Sequence, residues 1–224
     1  ILAAAETMEG AEADVNYVIG QAYAIRAYSY FMLAQSFART YKGHESDPCC
    51  PIYTEPTVAG TQGQLRSSVE DVYKQIVSDI NKAVELLNGT KQQHISHMGY
   101  AVALGLQARI ALVMEDWATA KTAAHAAITA SGCRVLAPSQ FAGLNDSGAA
   151  NVMWGAEIIA DQSGMYASLF SHMDACDDTG NGAYGATARK QINKELYDKM
   201  NSIDERRNWW DPSNPENGSN GYQQ

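Results

Sequence analysis

Apolar residues recur at helical spacing near the start of the chain. Between residues 22 and 37, apolar side chains lie three and four positions apart, which is the period of an amphipathic helix with a broad apolar face. The residues that carry this pattern are Tyr23, Ala27, Tyr30, Phe31 and Ala34. Arg26 lies within the same run, and we expect its aliphatic stem to cover apolar surface while its guanidinium seeks a carboxylate.

The clearest helical pattern covers residues 67–88. Ser67 and Glu70 have the spacing of a capping box, in which each side chain satisfies an amide at the helix start. Asn88-Gly89 is a typical helix end. The polar side of this pattern is expected to face water and carries Lys74, Asp79, Lys82 and Glu85.

Residues 98–131 have the pattern of two helices joined by a turn at Glu115-Asp116. Small side chains in the second helix allow a close approach, and the aromatic Trp117 after the turn is expected to wedge between the two helices. The small residues are Ala120, Ala124 and Ala127. Such hairpins are typical of TPR-like repeats, and the helices at 22–38 and 67–88 form a second, similar pair.

Irregular segments separate and follow these helices. Proline and glycine exclude a helix from residues 43–66, and residues 133–224 are rich in loops around a short helix at 188–200. Residues 151–160 fit a strand or a short helical piece. We therefore predict a mostly α fold of TPR-like hairpins with long irregular loops. Residues 1–224 would form one domain, cut at both ends, with its TPR-like helices in residues 22–131.

Charge narrows the classes of partner. The formal net charge is −9, which disfavours binding to nucleic acid or to an anionic membrane surface through the protein body. Neutral sugars and cationic peptides remain compatible with this charge. The sequence contains no apolar run of about 20 residues, the length that a membrane-spanning helix needs.

No motif predicts catalysis, a cofactor or a metal. The four cysteines have no zinc-binding spacing and are expected to be small thiols, and His94 and His97 are expected to lie in a solvated loop. The segment 177–182 partly mimics a calcium loop, but Ala188 stands where the twelfth-position glutamate belongs. The acidic pairs 115–116 and 177–178 are interpreted as turn residues. We predict no catalytic residues and no cofactor.

Aromatic residues in the loops are the candidate ligand contacts. A tyrosine or tryptophan ring stacks on the C–H face of a sugar, and polar neighbours bond the hydroxyl rim. The candidates are Tyr41, Tyr53, Tyr166, Tyr184, Trp209 and Trp210. Each of these rings could instead serve to pin its loop to the core, and the sequence leaves both roles open.

Five segments resemble, in order and spacing, the SusD/RagB family of outer-membrane nutrient-binding lipoproteins. The matching segments are Gln21–Phe31, Pro51–Pro56, Arg66–Tyr73 continuing to Ala83, Ala108–Lys121 and Ile203–Arg207. Members of this family are commonly about twice as long. The resemblance therefore implies a fragment covering roughly the N-terminal half, without the lipid-bearing cysteine.

The resemblance implies a helical, TPR-like scaffold on the outer membrane of Bacteroidetes, lipid-anchored at the cell surface. Family members pair with a SusC-like TonB-dependent transporter barrel and capture glycans, or in some cases peptides, without cleaving them. The family offers no ligand motif that transfers to residues of this chain.

Two other classes of function remain open. An intracellular TPR-type scaffold would bind a peptide tail in a helical groove, but it predicts regular tandem repeats, whereas the two hairpins here are unequal. An enzyme with an unrecognised site is disfavoured because the sequence shows no activated nucleophile or acid–base pair.

Overall fold

The computed structural model describes residues 1–137, 140, 147–156, 191–210 and 221–223. The predicted mostly helical fold is confirmed. No helix in this described part combines the length and apolar character that crossing a bilayer requires. The described residues belong to two compact units, the first formed by 1–137 and 141–156 and the second by 138–140 and 157–224. The predicted single domain stays a prediction.

The first helix, α1 (Glu12–Phe37), follows a short 3-10 helix at Leu2–Thr7. The predicted period is confirmed, because a run of small and aromatic side chains along one face is buried. This face comprises Ala24, Ala27, Tyr30, Phe31 and Ala34. The helix supplies one wall of the core of the first unit.

Helix α2 (Val69–Leu87) begins one residue later than the capping box predicts. The N-cap is Ser68, whose hydroxyl accepts a hydrogen bond from the Asp71 amide at 3.1 Å. The Ser67–Glu70 cap is therefore wrong, because the Ser67 backbone pairs instead with the loop that precedes it. The predicted end at Asn88-Gly89 is confirmed, with Gly89 at a φ of 80°.

Helices α1 and α2 pack through an aromatic and aliphatic core. Phe31 meets Tyr73 edge-on with ring centroids 6.4 Å apart, and Tyr41 meets the same tyrosine at 4.9 Å. At the end of α2 the two helices come very close, since a Cβ added to Gly20 would lie 2.7 Å from a Leu87 side-chain atom. A glycine in α1 is required at this position for close helix contact.

The prediction that Asp79 faces water is wrong. Asp79 is only 1% exposed, and both of its carboxylate oxygens accept hydrogen bonds of 2.7 Å from Arg26. Gln75 donates a further bond at 2.9 Å. Asp79 of α2 is thus the carboxylate that Arg26 was expected to seek. Their pairing allows the charge of Asp79 to be buried, because a buried charge is tolerated only when it is paired.

The predicted hairpin is confirmed as α3 (Tyr100–Val113) and α4 (Trp117–Ser131). Small residues of α4 line the contact with α3, and they are Ala120, Ala123 and Ala127. Trp117 does not wedge between the helices, since it is 61% exposed. Asp116 caps α4 by accepting a hydrogen bond from the Thr119 amide at 3.1 Å, as expected of an acidic turn residue.

Further contacts join helix α3 and the turns after α4 to the rest of the first unit. Helix α3 also packs on α2, where Gln107 donates a 2.8 Å bond to Asn81. In the described part of 151–160, residues 151–156 form turns and bends rather than a helix or strand. There the Trp154 indole donates to the Ser96 carbonyl at 2.9 Å and meets Tyr28 edge-on.

The second unit has an antiparallel strand pair, β1 (Gln191–Asn193) and β2 (Gly221–Gln223), with Ile192 opposite Tyr222. Helix α5 (Lys194–Lys199) follows β1 directly, and a 3-10 helix covers Glu205–Trp209. The predicted helix at 188–200 is shorter in the described residues, because its sequence pairs as a strand up to Asn193.

Candidate functional site

The loop between α1 and α2 doubles back on itself beside the start of α2. The Cys49 amide donates to the Ser67 carbonyl at 2.8 Å, and the Ser67 amide donates to the Cys50 carbonyl at 3.0 Å. Pro48 and Ser68 form the adjoining antiparallel bridge. The chain on each side of the exposed segment is therefore held in a fixed register.

Arg66 fastens this loop to the end of α1. Its Nε donates to the Cys49 carbonyl, and its Nη2 donates to the carbonyls of Phe37 at 3.0 Å and Pro48 at 2.7 Å. The three carbonyls belong to two different segments of chain. One guanidinium thus sets the distance between the end of the helix and the loop.

Tyr30 and Arg26 hold the next part of the loop. The Tyr30 hydroxyl accepts from the Tyr53 amide at 2.6 Å and donates to the Tyr53 carbonyl at 2.9 Å. Arg26 donates to the Thr54 carbonyl at 3.4 Å. The hydrogen bond with Asp79 raises the pKa of Arg26, so that Arg26 stays charged in its pair.

Between α1 and this fastened loop lies a groove with a volume of about 820 Å³. Most of its surface is apolar, with two guanidinium groups and a few hydroxyls among the lining side chains. We call it the α1 groove, and it is lined by Arg26, Ser29, Tyr30, Leu33, Phe37, Cys49, Cys50, Pro51, Tyr53 and Arg66.

Two aromatic residues line the α1 groove, one from helix α1 and one from the loop. Phe37, in the last turn of α1, is 64% exposed. Tyr53 is half-buried in the loop, and its hydroxyl accepts a 3.0 Å bond from the Gln64 amide. The backbone of Tyr53 is held by Tyr30, so its ring is presented from a fixed position rather than from a free loop.

The thiols of Cys49 and Cys50 lie side by side in the same groove, 3.8 Å apart and not bonded as a disulfide. Burial raises the pKa of Cys50 to about 12, and the neighbouring Cys49 adds to the effect. A thiol with this pKa is neutral near pH 7 and is a poor nucleophile. The expected free thiols are confirmed for these two residues and for Cys133.

The other candidate aromatic residues have different surroundings. Tyr41 is half-buried with its ring against Tyr73, which places it beside the core. Tyr166 and Tyr184 lie outside the described residues. Trp209 is 42% exposed in the second unit, and Trp210 beside it is partly buried.

Charged side chains lie just before Trp209, at the start and within the same 3-10 helix. Asp204 accepts hydrogen bonds from the Arg206 amide and guanidinium, and this side-chain bond lowers the pKa of Asp204 to about 2. The Arg207 guanidinium lies over the Tyr197 ring at 4.2 Å. Arg207 thus stacks on a tyrosine of α5.

His97 is not the solvated residue that the sequence predicts. Its Nδ1 lies 2.9 Å from the Tyr17 hydroxyl, which also accepts a 2.9 Å bond from the Gln93 amide. His94 is exposed, as expected. Within the described ranges no three histidine, cysteine or carboxylate side chains gather as metal ligands. The calcium-like segment at 177–182 lies outside those ranges.

Of the predicted contacts that the structure describes, Tyr53 alone lines the α1 groove. Sequence reasoning missed Phe37 and Arg66, which lie 16 and 13 positions from it. Their proximity depends on the doubling back of the loop, which no local pattern encodes. One signal was available: several large apolar side chains of helix α1, Leu33 and Phe37 among them, lie outside its buried face, and a patch of exposed apolar residues often marks a contact surface.

Comparisons with known proteins agree with this architecture. Residues 1–112, half of the chain, match the SusD-like family described as starch-binding and associating with the outer membrane. No curated protein sequence matches the chain.

Solved structures show the shared fold. A SusD-like carbohydrate binding protein from Bacteroides vulgatus is 24% identical over 94% of this chain and 43% of its own, with a TM-score of 0.76. NanU of B. fragilis is 20% identical over 99% of this chain and 49% of its own, with a TM-score of 0.66. A SusD superfamily protein from Bacteroides thetaiotaomicron is 23% identical over 62% and 31%, with a TM-score of 0.56.

The chain thus spans less than half the length of these solved relatives. The resemblance drawn from five sequence segments is confirmed by the family match, which covers the α1–α2 pair and most of α3. This protein belongs to the SusD-like family.

Proposed function

We propose that this protein binds a glycan in the α1 groove, as the non-catalytic capture component of a nutrient uptake system at the cell surface. The observation that carries the proposal is the pair of rings, Tyr53 and Phe37, in an open and mostly apolar groove of about 820 Å³. A groove of this size lies within the range of small-molecule sites in proteins, roughly 300–1,000 Å³.

The groove has the chemistry that a sugar requires. The rings of Phe37 and Tyr53 offer faces for the C–H side of a pyranose, and the hydroxyl of Ser29 and the two guanidinium groups can bond its rim. No carboxylate is among the described residues that line the groove. A sugar bound here would meet no acid–base pair of the kind that glycoside cleavage uses, which supports a binding role.

Family membership supports the cellular setting. The family description names starch binding and association with the outer membrane. We propose that the protein is lipid-anchored at the cell surface through a segment outside this chain, and that it passes its glycan to a SusC-like TonB-dependent transporter. The helical scaffold of α1–α4 would face that barrel.

A second ligand contact is proposed at Trp209 and Trp210. The exposed indole of Trp209 lies close in sequence to the paired Asp204 and Arg206, so a ring face and polar groups occur together. Of the remaining candidates, Tyr166 and Tyr184 stay predictions. Tyr41 also stays one, although its contact with Tyr73 already explains its position.

Affinity electrophoresis in gels that contain one polysaccharide each tests the proposal. We expect retardation by at least one polysaccharide without shortening of its chains. Phe37→Ala should reduce the retardation at least fivefold, whereas Tyr53→Phe should keep it, because that substitution preserves the ring. Tyr53→Ala should lose it.

The matched control is Trp117→Ala, which removes an equally exposed aromatic ring from α4, away from the groove. Equal losses in Trp117→Ala and Phe37→Ala would contradict a specific site. Retention of a peptide ligand with no glycan retained would replace the proposal with peptide capture. Released oligosaccharides would overturn the non-catalytic role.

A further inference from the structure

The charge of the α1 groove is opposite to that of the whole protein. The chain carries a formal net charge of −9, yet the two ionic side chains among the described residues that line the groove are both arginines. A local reversal of sign in a concave, mostly apolar site raises the local concentration of anions. The groove therefore favours an anionic ligand over a neutral ligand of the same shape.

The two arginines are not equivalent. The charge of Arg26 is compensated by Asp79, with two hydrogen bonds of 2.7 Å. Arg66 forms no ion pair within the described residues, since its partners there are the carbonyls of Phe37, Pro48 and Cys49. Neutral carbonyls position a guanidinium but do not compensate its positive charge.

The donors of Arg66 are only partly used. Hydrogen bonds to described residues engage Nε and Nη2, and none engages Nη1. Its charge also acts inside the groove, where it opposes the effect of burial on the pKa of Cys50. Arg66 is therefore held rigidly, is charged and has donors left for a ligand.

We infer that the glycan of the α1 groove carries carboxylates, as in a chain of uronic acids, and that Arg66 binds one of them. This inference rests on the proposed function and names the class of its ligand. A guanidinium held in place binds a carboxylate with strong, charge-assisted hydrogen bonds. In a uronic acid the carboxylate is attached directly to the sugar ring, so one residue can stack on Phe37 and reach Arg66.

An acidic peptide would also satisfy Arg66, but it does not explain the paired rings as well. The carboxylate of an aspartate or glutamate lies on a flexible stem, and the backbone of a peptide offers no flat C–H face to Phe37 and Tyr53. Sulfated or phosphorylated glycans share the anionic chemistry, and titration with sulfated and phosphorylated oligosaccharides beside the uronic acids separates these classes.

The test compares ligands that differ only in charge. Isothermal titration of the wild-type chain would use polygalacturonate and alginate oligosaccharides beside their esterified forms. We expect the acid form of one pair to bind about tenfold tighter at low salt, which corresponds to about 1.4 kcal/mol. At 1 M salt, where charges are screened beyond about 3 Å, the difference should shrink to less than threefold.

Variants test whether Arg66 causes the preference for the acid form. Arg66→Gln should bring the acid and ester forms to equal affinity, whereas Arg66→Lys should keep part of the preference. The matched control is Arg39→Gln, which removes the same charge from an exposed residue that does not line the groove, and it should keep the preference. A thermal melt of each variant shows whether the loop fastening survives.

Separate outcomes overturn the inference and the proposed function. Equal affinity of the wild type for acid and ester forms, with neutral glycans still bound, would overturn the carboxylate assignment and leave glycan binding intact. A preference for sulfated over carboxylated chains would also overturn it. Absence of binding to every glycan would defeat the proposed function itself. If Arg66→Gln unfolds, the affinities of the wild type for the acid and ester forms, and their salt dependence, still test the inference.

Discussion

The two helical pairs of the first unit share one architecture but pack their helices differently. Helices α3 and α4 meet through alanines across a short turn. Helices α1 and α2 meet through aromatic side chains and the buried Arg26–Asp79 pair, and a loop of 31 residues separates them. The difference follows what each pair carries: α1 and α2 must also hold an irregular loop in position.

Buried polar groups occur in the helical pair that must hold a long loop in position. A short turn needs only a cap, which Asp116 provides for α4. A long loop has many backbone carbonyls that require donors, and Arg26, Tyr30 and Arg66 supply them from fixed positions. Helices α1 and α2, which bury a charged pair at a desolvation cost, are also the pair whose loop forms the α1 groove.

The largest effect should come from breaking the buried pair. Asp79→Ala leaves the guanidinium of Arg26 without its carboxylate, and we expect a loss of about 3 kcal/mol in the free energy of unfolding. Urea titration followed by circular dichroism measures it. Glu85→Ala, which breaks the exposed pair with Lys82, is the control and should change stability by less than about 0.5 kcal/mol. Equal losses in the free energy of unfolding would mean that the buried pair stabilises the fold no more than the exposed one.

Overpacking the second pair should have the next largest effect. Ala127→Leu inserts a larger side chain where α4 meets α3, and we expect a loss of about 2 kcal/mol. The same substitution at the exposed Ala130 provides the control and should be nearly neutral. A tolerated Ala127→Leu, seen as an unchanged urea midpoint, would mean that close contact is not what joins these helices.

Removing the caps should affect both pairs alike. Ser68→Ala and Asp116→Ala each take an acceptor from a helix start, and each should lower stability by about 1 kcal/mol. Ser67→Ala should have no such effect, since the hydroxyl that caps α2 is that of the next residue. Thermal melts of the three variants measure this, and a larger loss in Ser67→Ala would restore the original capping prediction.

The smallest effect near neutral pH concerns Tyr73. Burial raises its pKa from 10.0 to about 12, so above pH 10 the unfolded chain loses the proton while the folded chain keeps it. Stability is therefore fully present below pH 10 and falls as pH rises toward 12. We expect Tyr73→Phe to weaken this fall in melting temperature. An identical alkaline profile in both proteins would contradict it.

Much of this fold could be predicted from the sequence, because its helices are strongly periodic. Helix α2 and the α3–α4 hairpin were recognisable from spacing and from their end signals. The burial of Asp79 was not, because a helical period sorts residues by polarity and a carboxylate counts as polar. Its partner Arg26 lies 53 residues away, so only the tertiary structure pairs them.

The candidate site was harder to predict. Tyr53 was identified because an aromatic ring in a loop is a recognisable signal. Phe37 and Arg66 were not, since each has a local explanation, as a helix end and as the residue before the predicted helix start at Ser67. Their shared groove depends on hydrogen bonds between segments that are far apart in sequence.

The fastening of the loop also separates its tip from the groove. Residues 55–63 are exposed, and the Gln64 amide bonded to the Tyr53 hydroxyl closes their two ends. The entropy cost of closing a loop grows only slowly with its length, so added residues at Gly60 would change the closure free energy little. Related proteins could therefore lengthen this tip, and reach ligands of different size, without changing the α1 groove.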